Sequence, residues 1–196
     1  MKRKKGYTLV ELIVTFALIA LFMSCAAMVV GTYMKIHTHT RDLAQQQVLA
    51  DTLLDDVQNK LSKCVNVSKS GISNAVTISD DGENGHKISF YDENYYPITI
   101  CINPGKEGYP DNDTEGSVLL YIYNWTKEDG QPAKYVYWSY PDRTYLDNKV
   151  TKFNIAEVNT KDSGKVVYEV SLTLESLRTK AKYTDTRYIE CANLEK

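Results

Sequence analysis

Thiols, imidazoles and one carboxylate beside an apolar run are the groups in this chain with chemistry to offer. The cysteines are Cys25, Cys64, Cys101 and Cys191. No CxxC pair or Cys/His cluster is present to supply a tetrahedral ligand set, so the thiols suit oxidation better than zinc. Cys25 lies inside a long apolar stretch, where a thiol behaves as a small hydrophobe. The other three are an odd number: they form at most one intramolecular bridge, and spacing does not say which thiol is left over. The histidines are His37, His39 and His86. On a helix, His37 and His39 fall on different faces, which argues against a shared metal. No HExxH string, phosphate-binding loop or nucleophile elbow accompanies them, and no catalytic residue is assigned. The acidic loops Asp80 to Asn84 and Asp111 to Glu115 carry oxygens that calcium accepts, but neither has EF-hand spacing, and solvated turns explain both. The chain therefore reads as a non-enzyme without metal or cofactor.

Glu11 is different, because its position demands a reason. It borders Leu12 to Val30, an uncharged run of 19 residues and the one segment long enough to cross a bilayer as a helix. A carboxylate costs on the order of 2–3 kcal/mol at mid-bilayer and less near the edge. Lys2, Arg3, Lys4 and Lys5 precede the run, so the charge rule places the N-terminus in the cytoplasm and the long C-terminal part outside, where disulfides persist. The formal net charge is −2 and would be −6 without residues 1–6, which disfavours a nucleic-acid-binding body.

The element that positions these groups is a helix. From Tyr7 to about Ser62 the pattern is helical, apolar first and amphipathic later, with no proline before Pro97 and with Gly31 as a soft point. Such a helix of some 56 residues would measure roughly 84 Å. Leu43, Gln47, Ala50, Leu54, Val57, Leu61 and Cys64 recur at steps of four and three and predict a core-facing stripe. Arg41, Asp42, Asp51, Asp55, Asp56 and Lys60 mark the opposite, solvated face. After Asn66 come short β-rich runs: 75–79, 87–91, 97–102, 118–124, 135–140, 150–158, 166–174 and 182–189. Asp80 to Gly85, Asn103-Pro104-Gly105, Asp129-Gly130 and Asp162-Ser163-Gly164 separate them with tight-turn chemistry. In the run Tyr135, Tyr137, Trp138, Tyr140, strand alternation puts the first two on one face and the last two on the other. The fold class is α+β, a long N-terminal helix packed on a mostly antiparallel sheet without βαβ alternation.

The string Lys4-Lys5-Gly6-Tyr7-Thr8-Leu9-Val10-Glu11-Leu12 directly before the apolar run resembles the class III signal of type IV pilins and pseudopilins. The resemblance implies cleavage by prepilin peptidase between Gly6 and Tyr7, methylation of the new N-terminus, and a role for Glu11 in assembly. In that family the glutamate is thought to meet the terminal amine of a neighbouring subunit, so two charges costly in lipid neutralise each other. It implies four segments: leader 1–6, a transmembrane and assembly half 7–34, an amphipathic half 35–65, and an extracytoplasmic β-rich domain 66–196. The implied partners are prepilin peptidase, other pilin or pseudopilin subunits, the assembly platform and the lipid bilayer. The implied location is the cell membrane in a single pass before assembly and a cell-surface or periplasmic filament after it. Disulfide loops near the C-terminus are common in the family, which together with predicted strand ends suggests Cys101 with Cys191, Cys64 being the alternative partner.

Tyr7 stands where phenylalanine is usual, and the span lacks the glycine and proline that major pilins often carry, which favours a minor pilin or pseudopilin. Other readings of the N-terminus are a secretory signal ending near Cys25-Ala26-Ala27, a lipoprotein signal at Cys25, and an uncleaved anchor for an extracellular binding domain. The first two put Glu11 in or beside the h-region, where charge is unwelcome.

Overall fold

Helix α1 (Leu9–Leu61) is continuous over 53 residues, about 80 Å at a rise of ~1.5 Å per residue. The structure, a computed structural model, describes residues 8–65, 76–103, 118–125, 134–158 and 165–195. It divides into two compact units, residues 1–41 and 42–196. Gly31 does not interrupt the helix. The chain leaves the helix through a bond from Ser62 N–H to Gln58 O (2.9 Å) and from Cys64 N–H to Leu61 O (3.1 Å).

In the first unit every large apolar side chain from Leu9 to Ile36 is exposed, on all sides of the helix. Among the described residues of the second unit, two antiparallel meanders follow the helix. Five strands, β1 (Val76–Asp80), β2 (His86–Tyr91), β3 (Pro97–Ile102), β4 (Leu119–Trp125) and β5 (Lys134–Trp138), form one sheet in sequence order. Three long strands, β6 (Asn148–Val158), β7 (Lys165–Ser176) and β8 (Lys182–Glu195), form the other. The sequence led us to expect a single sheet. Between β5 and β6 lies the short helix α2 (Asp142–Tyr145), and Leu146 and Asp147 then take positive φ of 48° and 63°, turning the chain out of the first sheet before β6 begins. The turn is held on both sides. Tyr145 Oη accepts the Leu119 N–H (3.1 Å), and Asn148 Nδ2 donates to the carbonyls of Tyr145 (2.9 Å) and Leu146 (3.0 Å).

The sheets meet at β2 and β6. Gly85, at φ 98°, bridges Phe153, and a Cβ on Gly85 would lie 2.3 Å from the Phe153 carbonyl oxygen, so only glycine fits. Beside it, His86 Nδ1 accepts the Ile155 N–H at 3.1 Å. That histidine is a structural acceptor between sheets.

One core joins the helix to both sheets. Leu49, Leu53, Leu54, Val57 and Leu61 pack with Ile88, Phe90, Ile100, Tyr121, Phe153, Val170 and Leu172. The predicted stripe is shifted at its start: Leu43 is half-buried and Gln47 exposed, while Asp42, Gln46, Leu49 and Leu53 are buried. Asp42 thus leaves the solvated face on which the sequence placed it. Its partners come from the β7–β8 turn, described below.

Candidate processing and assembly segment

The N-terminal segment begins its helix with a reciprocal cap. Thr8 N–H and Thr8 Oγ1 both donate to Glu11 Oε2, at 2.8 and 3.0 Å, and the Glu11 N–H donates to Thr8 Oγ1 at 3.3 Å. Thr8-Leu9-Val10-Glu11 is therefore a capping box, in which each side chain satisfies an amide that the first helical turn leaves free. Sequence reasoning missed this second role for Glu11, although the T-x-x-E spacing carried it. Gly6 and Tyr7, the expected cleavage pair, lie outside the described residues.

Beyond Glu11 the apolar helix meets its own polar needs. Thr15 Oγ1 donates to Leu12 O (2.9 Å), Ser24 Oγ to Leu21 O (2.8 Å) and Thr32 Oγ1 to Met28 O (3.0 Å). Hydroxyls closed back on the helix present no unsatisfied donor to hydrocarbon. The helix is long and apolar enough to cross a membrane. Next along it, the His37 ring lies 6.1 Å from that of Tyr33, one helical turn away.

At the start of the second unit, buried Asp42 accepts hydrogen bonds from Ser176 Oγ (3.0 Å) and Thr179 Oγ1 (2.8 Å) and pairs with the Arg178 guanidinium. Burial works against its ionisation, but hydrogen bonds from Arg178, Thr179 and Ser176 outweigh that and hold the carboxyl below its usual value. Gln46 Nε2 donates to Ala181 O (2.9 Å), so one helical turn carries two grips on the same β turn. Further along, Arg187 of β8 pairs with Asp55 and, at 2.9 Å, with Asp51. Acids that the sequence marked as a solvated face are thus partly a docking seam for β8.

The cysteines separate by strand parity. Ile98, Ile100 and Ile102 of β3 join the main core, whereas Cys101 points to the other face of that sheet, where it packs with Leu120, Ile122 and Tyr137. Burial pushes its thiol up to about 11. Cys191, in β8, lies in the main core with Cys64. The structure therefore does not bring together the expected pair Cys101 and Cys191; it places Cys64, the alternative, beside Cys191. All four cysteines are free thiols here.

A cleft of about 460 Å³ is lined by Asp56, Lys60, Tyr123, Val136, Tyr137, Trp138 and Tyr140. The Lys60 ammonium pairs with Asp56 at 3.4 Å and lies over the rings of Tyr121, Trp138 and Tyr123 at 5.4, 5.8 and 6.0 Å. Burial lowers the Lys60 pKa, but hydrogen bonding to Tyr123 and the Asp56 charge more than offset it, so the amine is held protonated among the rings. Trp138 and Tyr140 meet edge to face at 4.8 Å, and Tyr135 stacks with Tyr137 at 6.5 Å, the two faces that strand alternation predicts.

The Asp80 to Asn84 loop is a 3-10 turn in which Asp80 Oδ1 accepts the Gly82 N–H at 2.9 Å. Among the described residues no group of three His, Cys, Asp or Glu side chains is placed to hold a metal ion. The loop Asp111 to Glu115 lies outside the described residues.

No curated protein and no solved structure matches this chain. Its residues 1–24 match the family described as the prokaryotic N-terminal methylation motif, which is the prepilin-type signal of type IV pilins and pseudopilins.

Proposed function

We propose that this chain is a structural subunit, a minor pilin or pseudopilin, of a type IV pilus, type II secretion or competence filament. The observation that carries the reading is the basic leader and Gly6-Tyr7-Thr8-Leu9-Val10-Glu11 string set directly before an apolar helix, within the matched residues 1–24. Prepilin peptidase hydrolyses the Gly6–Tyr7 bond on the cytoplasmic side, and the freed Tyr7 amine is methylated. The alkylated amine stays positively charged. Before assembly the helix is held in the bilayer with the body outside, and on assembly its apolar surface passes from lipid to neighbouring helices.

The exposed side chains from Leu9 to Ile36 support this, because an apolar surface around the whole helix requires lipid or other helices as its solvent. In the bundle, Glu11 exchanges its local partner Thr8 for the amine of an adjacent subunit, so neither charge enters the apolar interior alone. The body's contribution is packing; the reading assigns it no catalysis.

The test is the N-terminus of the mature chain, read by mass spectrometry of protein from membranes and sheared filaments. A methylated Tyr7 is the expected first residue. An N-terminus at Met1, one near Met28, or a lipidated Cys25 would each overturn the reading. The aromatic cleft at Trp138 favours one alternative, a membrane-anchored extracellular binding protein, and that alternative retains residues 1–6.

A further inference from the structure

We propose that Cys64 and Cys191 form a disulfide that fastens the C-terminal end of helix α1 to the last strand. The proposal rests on the reading above in one respect, that the body lies outside the cytoplasm, since only there does a disulfide persist. The geometry is independent of that reading. Both side chains are fully buried in one core. Cys191 Sγ lies 3.3 Å from the Leu61 carbonyl oxygen, which also accepts the Cys64 N–H at 3.1 Å, so the two residues converge on a single backbone atom. The backbones are held in register there as well, because Ala192 N–H donates to Ser62 O at 3.1 Å. The two thiols are also near enough to perturb each other's ionisation, which lowers the Cys64 pKa and raises that of Cys191.

No other thiol competes. Cys101 packs on the far face of its sheet, and a strand cannot present it to the core without a one-residue slip that would turn Ile98, Ile100 and Ile102 outward. The sulfurs are shielded once the fold is complete, so oxidation belongs to the last stage of folding, before β8 docks. The Cys64 thiolate attacks a disulfide-bearing oxidant, an exported dithiol–disulfide protein or oxidised glutathione, and forms a mixed disulfide. The Cys191 thiolate then attacks the Cys64 sulfur and expels the second thiol of the oxidant. The protein loses two electrons and two protons, the oxidant gains both electrons, and the one new bond joins the two cysteines.

The bond would close a loop that contains β1 to β7 and the greater part of β8. It also gives the helix a covalent hold on the sheet. In a filament whose subunits are held by their helices, tension on the body would pass through β8 without relying on apolar contacts alone.

The experiment uses the full chain in two settings. Producing cells are treated with N-ethylmaleimide before lysis, and the denatured, unreduced protein is digested and mapped by mass spectrometry. In parallel, purified full chain is reduced, unfolded in urea and refolded into detergent with oxidised glutathione, and both samples are alkylated again on denaturation before mapping. A Cys64–Cys191 linked peptide with alkylated Cys101 is expected in both, together with a fall in Tm on the order of 10 °C on reduction. Cys101→Ser should retain the link and Cys64→Ser should abolish it without creating another. Cys101 in the link, or Cys64 and Cys191 both alkylated in both settings, overturns the pairing. A link that forms with glutathione yet is absent from the trapped cells overturns export of the body and leaves the pairing geometry standing.

Discussion

Glu11 carries two assignments that a single substitution series can separate. As the fourth residue of the capping box it needs a side-chain acceptor for Thr8, which glutamine also supplies; as a counter-charge for a terminal amine it needs a carboxylate. Glu11→Gln and Glu11→Ala should both reach the membrane, since removing a charge at the edge of the span eases insertion. Both should fall in sheared filaments by at least tenfold if charge governs assembly, because an unpaired buried amine costs several kcal/mol. Wild-type filament levels for Glu11→Gln with loss for Glu11→Ala would reduce Glu11 to a cap. The chemistry of such local groups was legible in the sequence wherever the partner was near. Thr8 and Glu11 are three residues apart. Cys191 was not legible in this way, since its neighbour Cys64 is supplied by the helix end and its expected partner Cys101 is turned away by strand parity, a face assignment that needs the sheet register.

At the scale of elements, the strands among the described residues were readable because period-two alternation is a local signal, and β3 (Pro97–Ile102) falls on its expected residues, whereas the predicted turns at Pro104-Gly105, Asp129-Gly130 and Asp162-Ser163-Gly164 lie outside the described residues. The helix face was readable only where it was apolar. Asp42 and Gln46 are polar residues that look solvated, and they are buried because Ser176, Arg178, Thr179 and Ala181 come to them from far along the chain. Asp42→Ala should therefore destabilise the body by about 2–3 kcal/mol, the usual loss for a charged group with several hydrogen bonds, seen as a lower urea midpoint. The pH dependence has a definite sign. The folded carboxyl titrates below its ordinary value of 3.8, so the folded state binds fewer protons than the unfolded one. Its contribution is complete above that value and is lost as pH falls through the lower folded pKa. As pH falls below 3.8, Tm of the wild type should drop more steeply than that of Asp42→Asn. Parallel acid melts check this, and identical slopes would remove Asp42 from the account. Gly85 makes a separate claim. With φ at 98° and the Phe153 carbonyl where a Cβ would go, Gly85→Ala should cost about 2–3 kcal/mol and weaken the junction of the two sheets. Hydrogen exchange at Ile155, whose amide bonds His86 next door, should accelerate; unchanged protection would mean that the junction tolerates the methyl group.

On the scale of the whole molecule, the sequence displayed the contrast between an apolar helix half and a β-rich remainder, and its core-facing stripe from Leu43 already drew the second half of the helix into the body. Composition places the change from helix to strands near Asn66, whereas buried helical side chains begin at Asp42, where the second unit starts, and the apolar core begins at Leu49. The distinction decides what a truncation should do. A chain of residues 42–196 retains every helical side chain of the core, from Leu49 to Leu61, and its new helix terminus begins with Asp42, a carboxylate where the helix dipole favours one. It loses only a segment whose large apolar side chains are exposed. Residues 42–196 should therefore be monomeric without detergent and should melt in one cooperative transition. A chain beginning at residue 62 loses Leu49, Ala50, Leu53, Leu54, Val57 and Leu61 together. At ~1.5–3 kcal/mol for each large side chain, that removes on the order of 10 kcal/mol, comparable to the entire stability of a domain. It should lack a cooperative transition by circular dichroism and should aggregate on size exclusion. If the chain of residues 42–196 also aggregated, or the chain from residue 62 melted cooperatively, the second half of α1 would not be part of the body's core.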